Sequence, residues 1–192
     1  TLIGNQDITA QVDFTSVACA GERAGLETVG LVTQRDFLAN LGHGQFQEKL
    51  KNQALLNSRK RIRYCSHETS KELVQEMFIV HPQNAYVRPH KHLKKIESMI
   101  VLQGEVDYVT FDDQGDVTDK VSMGDFSSGK IFYSSLRTAI YHTLLIHSEC
   151  LVFMEITQGP FHKEDTVFAE WSPMENDSQK NEMYMKKLKE RL

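Results

Sequence analysis

The run Tyr86-Val87-Arg88-Pro89-His90-Lys91-His92, followed by Glu97 and then Gly104, concentrates groups that bind metals. His90 and His92 stand two apart, so on a strand both imidazoles face the same side. Glu97 follows a short loop and reaches that side from the adjoining strand, and Gly104 falls where a turn belongs. His142, within Tyr141-His142-Thr143-Leu144, supplies a fourth donor from a later apolar strand. Three imidazoles and one carboxylate suit a divalent first-row transition metal with positions left for water or substrate. Fe(II), Mn, Ni, Zn and Cu all accept that set, so the metal's identity stays open. Arg88, Lys91 and Lys94 are candidate contacts for an anionic group, or else solvated surface cations. Tyr133 and Tyr141 are candidate proton donors, or else buried structural tyrosines. His43, His67, His81, His147 and His162 lack such company and read as loop or surface histidines.

These donors need a β scaffold, and the chain from about Arg59 onward supplies one. Ser98 to Leu102, Glu105 to Phe111, Val117 to Val121, Ile131 to Tyr133, His142 to Ile146 and Cys150 to Ile156 read as short strands. Asp112-Asp113-Gln114-Gly115 is a hairpin turn between two of them. Strands at such spacing predict a closed β-sandwich or barrel. Glu182 to Leu192 reads as a helical tail with Met185, Leu188 and Leu192 on one face. A Glu182/Lys186 pair supports it, and a solvated terminal helix is the expectation. Residues 68–78 read as helical.

The first 58 residues differ. Residues 7–14 alternate as a half-buried strand does, and a helix follows from about Ser16 to Ala24 with Gly25 as its stop. Thr28 to Val32 is a second strand candidate. Thr33 caps a further helix that ends before Gly42. Phe46, Leu50 and Ala54 recur every four residues, as on one face of an amphipathic helix.

Composition narrows the function classes. The 192 residues are 40% hydrophobic and 25% charged, which fits a globular chain. The net charge of −4 gives no reason to expect nucleic acid binding. No apolar run is long enough for a membrane helix, and Thr1-Leu2-Ile3-Gly4 does not open a signal peptide. Three widely spaced cysteines, Cys19, Cys65 and Cys150, argue against a disulfide framework and fit reduced thiols in a cytoplasmic protein.

The His-x-His, Glu, Gly spacing with His142 downstream resembles the motifs of the cupin superfamily. Further motifs resemble the WbuC family of cupin-fold metalloproteins over residues 59–173. They are Arg59-Lys60-Arg61, residues 86–92 and 112–115, Tyr141-His142-Thr143, Glu155 before Gly159-Pro160-Phe161, and Phe168-Ala169-Glu170-Trp171-Ser172-Pro173. Leu136 to Ile140 stand where the usual second cupin motif has Pro-x-Gly. The resemblance implies a mainly β fold, a double-stranded β-helix (jelly-roll) barrel, with His90, His92, Glu97 and His142 as metal ligands. It also implies a setting among surface-polysaccharide (O-antigen) genes. Residues 7–14, 20–26 and 30–42 resemble the C-terminal part of MidA-type SAM-dependent methyltransferases. The cofactor-binding half of such a fold has no counterpart here, so SAM is not expected on this chain.

The expected organisation is therefore a small α/β appendage (1–58), a cupin barrel (59–173) and a C-terminal helical tail (174–192). The appendage must pack on the barrel, pair with another subunit, or be a remnant of a longer fused chain, because two strands cannot bury both faces unaided. The expected function is metal-dependent binding or conversion of a small molecule such as a sugar or nucleotide-sugar intermediate. An isomerase, epimerase or oxygenase is the enzyme class implied. The alternatives are a non-catalytic regulatory cupin and a methyltransferase remnant fused to a cupin. Cupins commonly pair by edge strands, so a homodimer is expected.

Overall fold

The computed structural model describes residues 14–25, 43–57 and 61–192. The chain divides into two compact units, Thr1–His43 and Gly44–Leu192. In the first, helix α1 spans Phe14–Arg23. It closes on Gly25, whose φ of +84° is the left-handed conformation that glycine tolerates at a helix C-terminus. The helix thus begins at Phe14, which the alternation had assigned to a strand. The strand candidates over 7–13 and 28–32, the helix after Thr33, and most of the methyltransferase-like segment lie outside the described residues.

The second unit is mainly β. Helix α2 covers His43–Leu56. The strands are β1 (Ile62–Cys65), β2 (Val74–Pro82), β3 (His90–His92), β4 (Glu97–Gln103), β5 (Glu105–Phe111), β6 (Val117–Gly124), β7 (Tyr133–Leu136), β8 (Tyr141–Ile146), β9 (Cys150–Gln158) and β10 (Thr166–Phe168), and helix α3 covers Ser178–Arg191. They form two five-stranded sheets, β1-β2-β9-β4-β7 and β10-β3-β8-β5-β6, with antiparallel pairing between the strands. Successive strands change sheet at every step from β2 to β5 and again from β6 to β10. That double wrapping is a jelly roll, as expected.

Strand alternation sorts the side chains into three layers. Between the sheets lies the main core, which includes Met77, Ile79, Met99, Val101, Val106, Tyr108, Leu144 and Phe153. The outer face of the first sheet is covered by α2, where Leu50 and Ala54 meet Val80 and Val152. The outer face of the second sheet is covered by α3, where Leu188 packs with Val109, Phe111, Tyr141 and Ala169. α3 is therefore a docked helix rather than a solvated one. Asp177 caps it by accepting from the Lys180 amide at 3.1 Å. Lys189 and Arg191 sit in its last turn, where the helix dipole favours cations. No ion pair joins Glu182 and Lys186 among the described residues.

Two further expectations change. Residues 74–78 are the start of strand β2, not the end of a helix: Gln75 and Met77 are buried between exposed or half-buried neighbours, the two-residue period of a strand. Strand β7 begins at Tyr133, and Ile131 makes only an isolated bridge to Met123. The hairpin at 112–115 forms as expected, with the Asp112 carboxylate accepting from the amides of Gln114 and Asp116, each at 2.9 Å.

Candidate metal centre

Three short pairings assemble the site. His90 lies opposite His142 across β3 and β8, and Thr166 lies opposite His92 across β10 and β3. Glu97 opens β4 in the facing sheet. One ligand atom from each of His90, His92, Glu97 and His142 lies within 4.8 Å of all the others. That is about twice a metal–ligand bond of ~2.0–2.2 Å, a span that one ion bridges. The imidazole centroids are 4.5 Å apart for His90 and His142, 5.0 Å for His90 and His92, and 5.7 Å for His92 and His142. Tyr108 stacks on the His142 ring at 5.3 Å.

The outward nitrogens are all engaged. His90 Nδ1 donates to the Arg88 carbonyl at 2.8 Å, and His142 Nδ1 donates to the Ile140 carbonyl at 3.1 Å. A carbonyl only accepts, so both rings carry a proton on Nδ1, and in the neutral ring the Nε2 lone pair faces inward. His92 Nδ1 lies 3.1 Å from the Thr166 hydroxyl, and its Nε2 faces Glu97 Oε2 at 2.9 Å. His142 Nε2 is buried without a hydrogen-bond partner, 3.5 Å from Glu97 Oε1. Inward lone pairs around a buried carboxylate are acceptors facing an acceptor, and a cation relieves that arrangement. The donor set therefore fits a divalent transition metal. The 136–140 turn holds His142 without a Pro-x-Gly motif: the Ile140 amide bonds the Thr138 carbonyl at 2.8 Å, and Ile140 then holds the ring.

Burial shapes the charges. It favours a neutral Glu97, but the His142 and His92 imidazoles that face the carboxylate outweigh it and hold its pKa well below the ordinary carboxylate value. Burial, reinforced by the neighbouring His142, lowers His90 to about 3.

The cluster sits in a cleft of about 740 Å³ between the sheets. Glu155, Arg63, His81 and Lys95 also line it, and none of these stood out in the sequence as a site residue. Burial, together with the negative charge of Glu97, raises Glu155 to about 8. The signal that locates these residues is register. Glu155 lies opposite Met99 and Met77 and faces inward with them, and Arg63 lies opposite Ile79 at the exposed β1 edge of the cleft. His81, far from a surface histidine, is 5% exposed and stacks on Phe153 at 5.6 Å. His147 is half-buried and bonds Asp107 Oδ2 at 2.9 Å on the outer face.

Of the five residues suggested as anion contacts or proton donors, Arg88 alone lines the cleft. Its guanidinium donates to Ser172 Oγ at 3.2 Å and to the Ala169 carbonyl at 2.9 Å. Lys91 and Tyr141 lie on the outer face, because each adjoins an inward histidine on its strand. There the Lys91 ammonium bonds Asp113 at 2.6 Å and sits 4.3 Å over the Tyr141 ring. Tyr133 is exposed on edge strand β7, its hydroxyl 3.4 Å from Ser98 Oγ. Lys94 is exposed and is not among the cleft residues.

A family model described as a domain of unknown function, DUF6016, matches residues 43–123. No curated protein matches the chain. Among solved structures, protein SO0799 from Shewanella oneidensis is similar at a TM-score of 0.48 and 11% identity, over 58% of this chain and 75% of that one. Bacillus subtilis oxalate decarboxylase, a protein with Mn(II) centres, is similar at a TM-score of 0.44 and 16% identity, over 56% of this chain and 27% of that one. CapF is similar at 0.45 and 15%, over 56% of this chain and 31% of that one. This chain thus spans under a third of the last two.

Proposed function

We propose that the Gly44–Leu192 unit is a metal-dependent jelly roll that binds a small organic molecule in its cleft. The ligands are Nε2 of His90, His92 and His142 and the carboxylate of Glu97. The observation that carries this reading is the outward tethering of Nδ1 on His90 and His142, which leaves two lone pairs converging on one buried carboxylate. A bound divalent ion supplies a Lewis acid to a ligand oxygen. The chain's own groups do the rest. Tyr108 donates to Glu97 Oε1 at 3.4 Å and orients that carboxylate. Glu155, raised to about 8, keeps its proton near neutral pH and faces the cleft, which is the disposition of a proton donor. The motif resemblance directs the ligand toward a sugar or nucleotide-sugar intermediate of surface-polysaccharide synthesis, and the cation-lined cleft supports a polar, anionic molecule.

Elemental analysis of protein purified without added metal tests the reading. About one equivalent of a transition metal per chain is expected, and its loss in His90→Ala. A metal-free parent that takes up no Mn, Fe, Ni, Zn or Cu on dialysis overturns it.

A further inference from the structure

The cleft has a second polar pole away from the histidine cluster. Its position follows from register. On the inner face of the first sheet, Glu97 lies level with Thr157 and Gln75, and Glu155 lies level with Met77. Phe153 and Ile79 come next, with Arg63 beside Ile79 on the edge strand. His81 is one step further along β2, opposite Leu151. The pole therefore sits at the β1 edge, several rungs from the proposed ligands.

Its two polar groups have no protein partner among the described residues, whereas the cations beside them do. Arg61 is tied to Glu175 through two bonds of 3.0 and 3.1 Å, and Arg88 is tied to Ser172 and the Ala169 carbonyl. The Arg63 side chain, exposed on the edge strand where it lines the cleft mouth, has no hydrogen bond or ion pair to any described residue. His81 is 5% exposed, and its Nδ1 has no hydrogen-bond partner among the described residues. A buried imidazole nitrogen without a partner carries a desolvation cost that nothing in the core offsets. Burial and the charges of Arg61 and Arg63 lower this histidine to about 3, so the ring is neutral and able to donate one N–H.

We infer that Arg63 and the Nδ1 edge of His81 form an oxyanion pocket, which takes the carboxylate or phosphate group of the small molecule whose other end meets the histidine cluster. Arg63 supplies a forked set of donors, and His81 supplies a single fixed one from a ring clamped against Phe153. The inference rests on the cleft being a ligand site, as proposed above, but not on the metal.

The test uses the full chain labelled with 15N-histidine, stripped with a chelator and titrated at constant ionic strength. The probes are inorganic phosphate, acetate and, as a neutral control, galactose. A saturable shift of the His81 ring nitrogens with phosphate or acetate, and none with galactose, is expected. The tighter of the two anions names the source, a phosphate ester or a carboxylic acid. Arg63→Gln should weaken that binding about tenfold or more, the loss of a charged donor, while metal content stays at the parent value. His81→Phe, which preserves the stacking, should weaken anion binding in thermal-shift titrations. No saturable shift with either anion, or Arg63→Gln binding as tightly as the parent, overturns the pocket. A protein that binds phosphate but no metal sinks the metal reading and leaves this one standing.

Discussion

At the scale of single residues, Asp107 illustrates how a buried carboxylate away from the cleft is kept charged. Burial opposes its ionisation, but the Ser122 hydroxyl at 2.6 Å and His147 at 2.9 Å outweigh it and lower its pKa. The folded state therefore binds fewer protons at this group than the unfolded one. Its contribution is complete above the unfolded value of ~3.9 and is lost as pH falls through the lower folded value. Asp107→Asn should cost on the order of 1–2 kcal/mol at pH 7, where two hydrogen bonds to a charge are lost. Urea melts should show the gap between Asp107→Asn and the parent closing below about pH 4. A gap independent of pH would mean that the packing of the side chain, not its charge, matters. Residue types alone marked His90, His92, Glu97 and His142, because metal ligands are recognisable by chemistry and spacing. Arg63, His81 and Glu155 were not legible in that way. Single charged or polar residues inside apolar strands acquire meaning only when register places them on the inner face.

At the scale of elements, alternation was informative wherever it was applied consistently. The placement of His90 and His92 inward already requires Lys91 outward, and an inward His142 requires Tyr141 outward. Lys91 and Tyr141 therefore stand on the opposite face of their strands from the histidine cluster. α3 gives the opposite lesson. Its sequence is rich in lysine and looks solvated, yet Leu188 is 2% exposed against the outer face of the second sheet. A helix needs only a narrow apolar stripe to dock when a sheet presents Val109, Phe111 and Tyr141 to receive it. Leu188→Ala should cost about 2–4 kcal/mol in chemical denaturation, as for other buried leucines. A change within about 0.5 kcal/mol would be the behaviour of a solvated tail. The β5–β6 turn is a second element that the structure constrains. Gly115 has φ +91°, and a Cβ there would stand 2.8 Å from the Trp171 ring. Gly115→Ala should lose about 1–2 kcal/mol from the left-handed backbone alone, with further loss from displacing the indole. Near-ultraviolet circular dichroism of Trp171 would register that displacement, and an unchanged spectrum would argue against the contact.

For the whole molecule, an apolar core lies between the sheets and two helices cover their outer faces. A chelated protein is expected to keep its β-type far-ultraviolet spectrum and a cooperative melt. Metal at a hundred times its Kd should then add about 2.7 kcal/mol by mass action, raising the melting temperature in proportion. Unfolding on chelation would instead assign the ion a structural role. Among the described residues no helix is long and apolar enough to cross a membrane.

Hairpins, strands with a clear period and a set of metal-type donors were determined by the chain text itself. Turn chemistry and side-chain alternation are local, and a histidine is a ligand type wherever it stands. Which donors meet was decided by the crossings between sheets, which bring β3, β4 and β8 to one end of the cleft from positions far apart along the chain. The same crossings turned Lys91, Tyr133 and Tyr141 away and brought Arg63, His81 and Glu155 in. Burial did the rest, because the protonation state of Glu155 and the unpartnered nitrogen of His81 are properties of an enclosed, low-dielectric space that exists only once both sheets have closed over it.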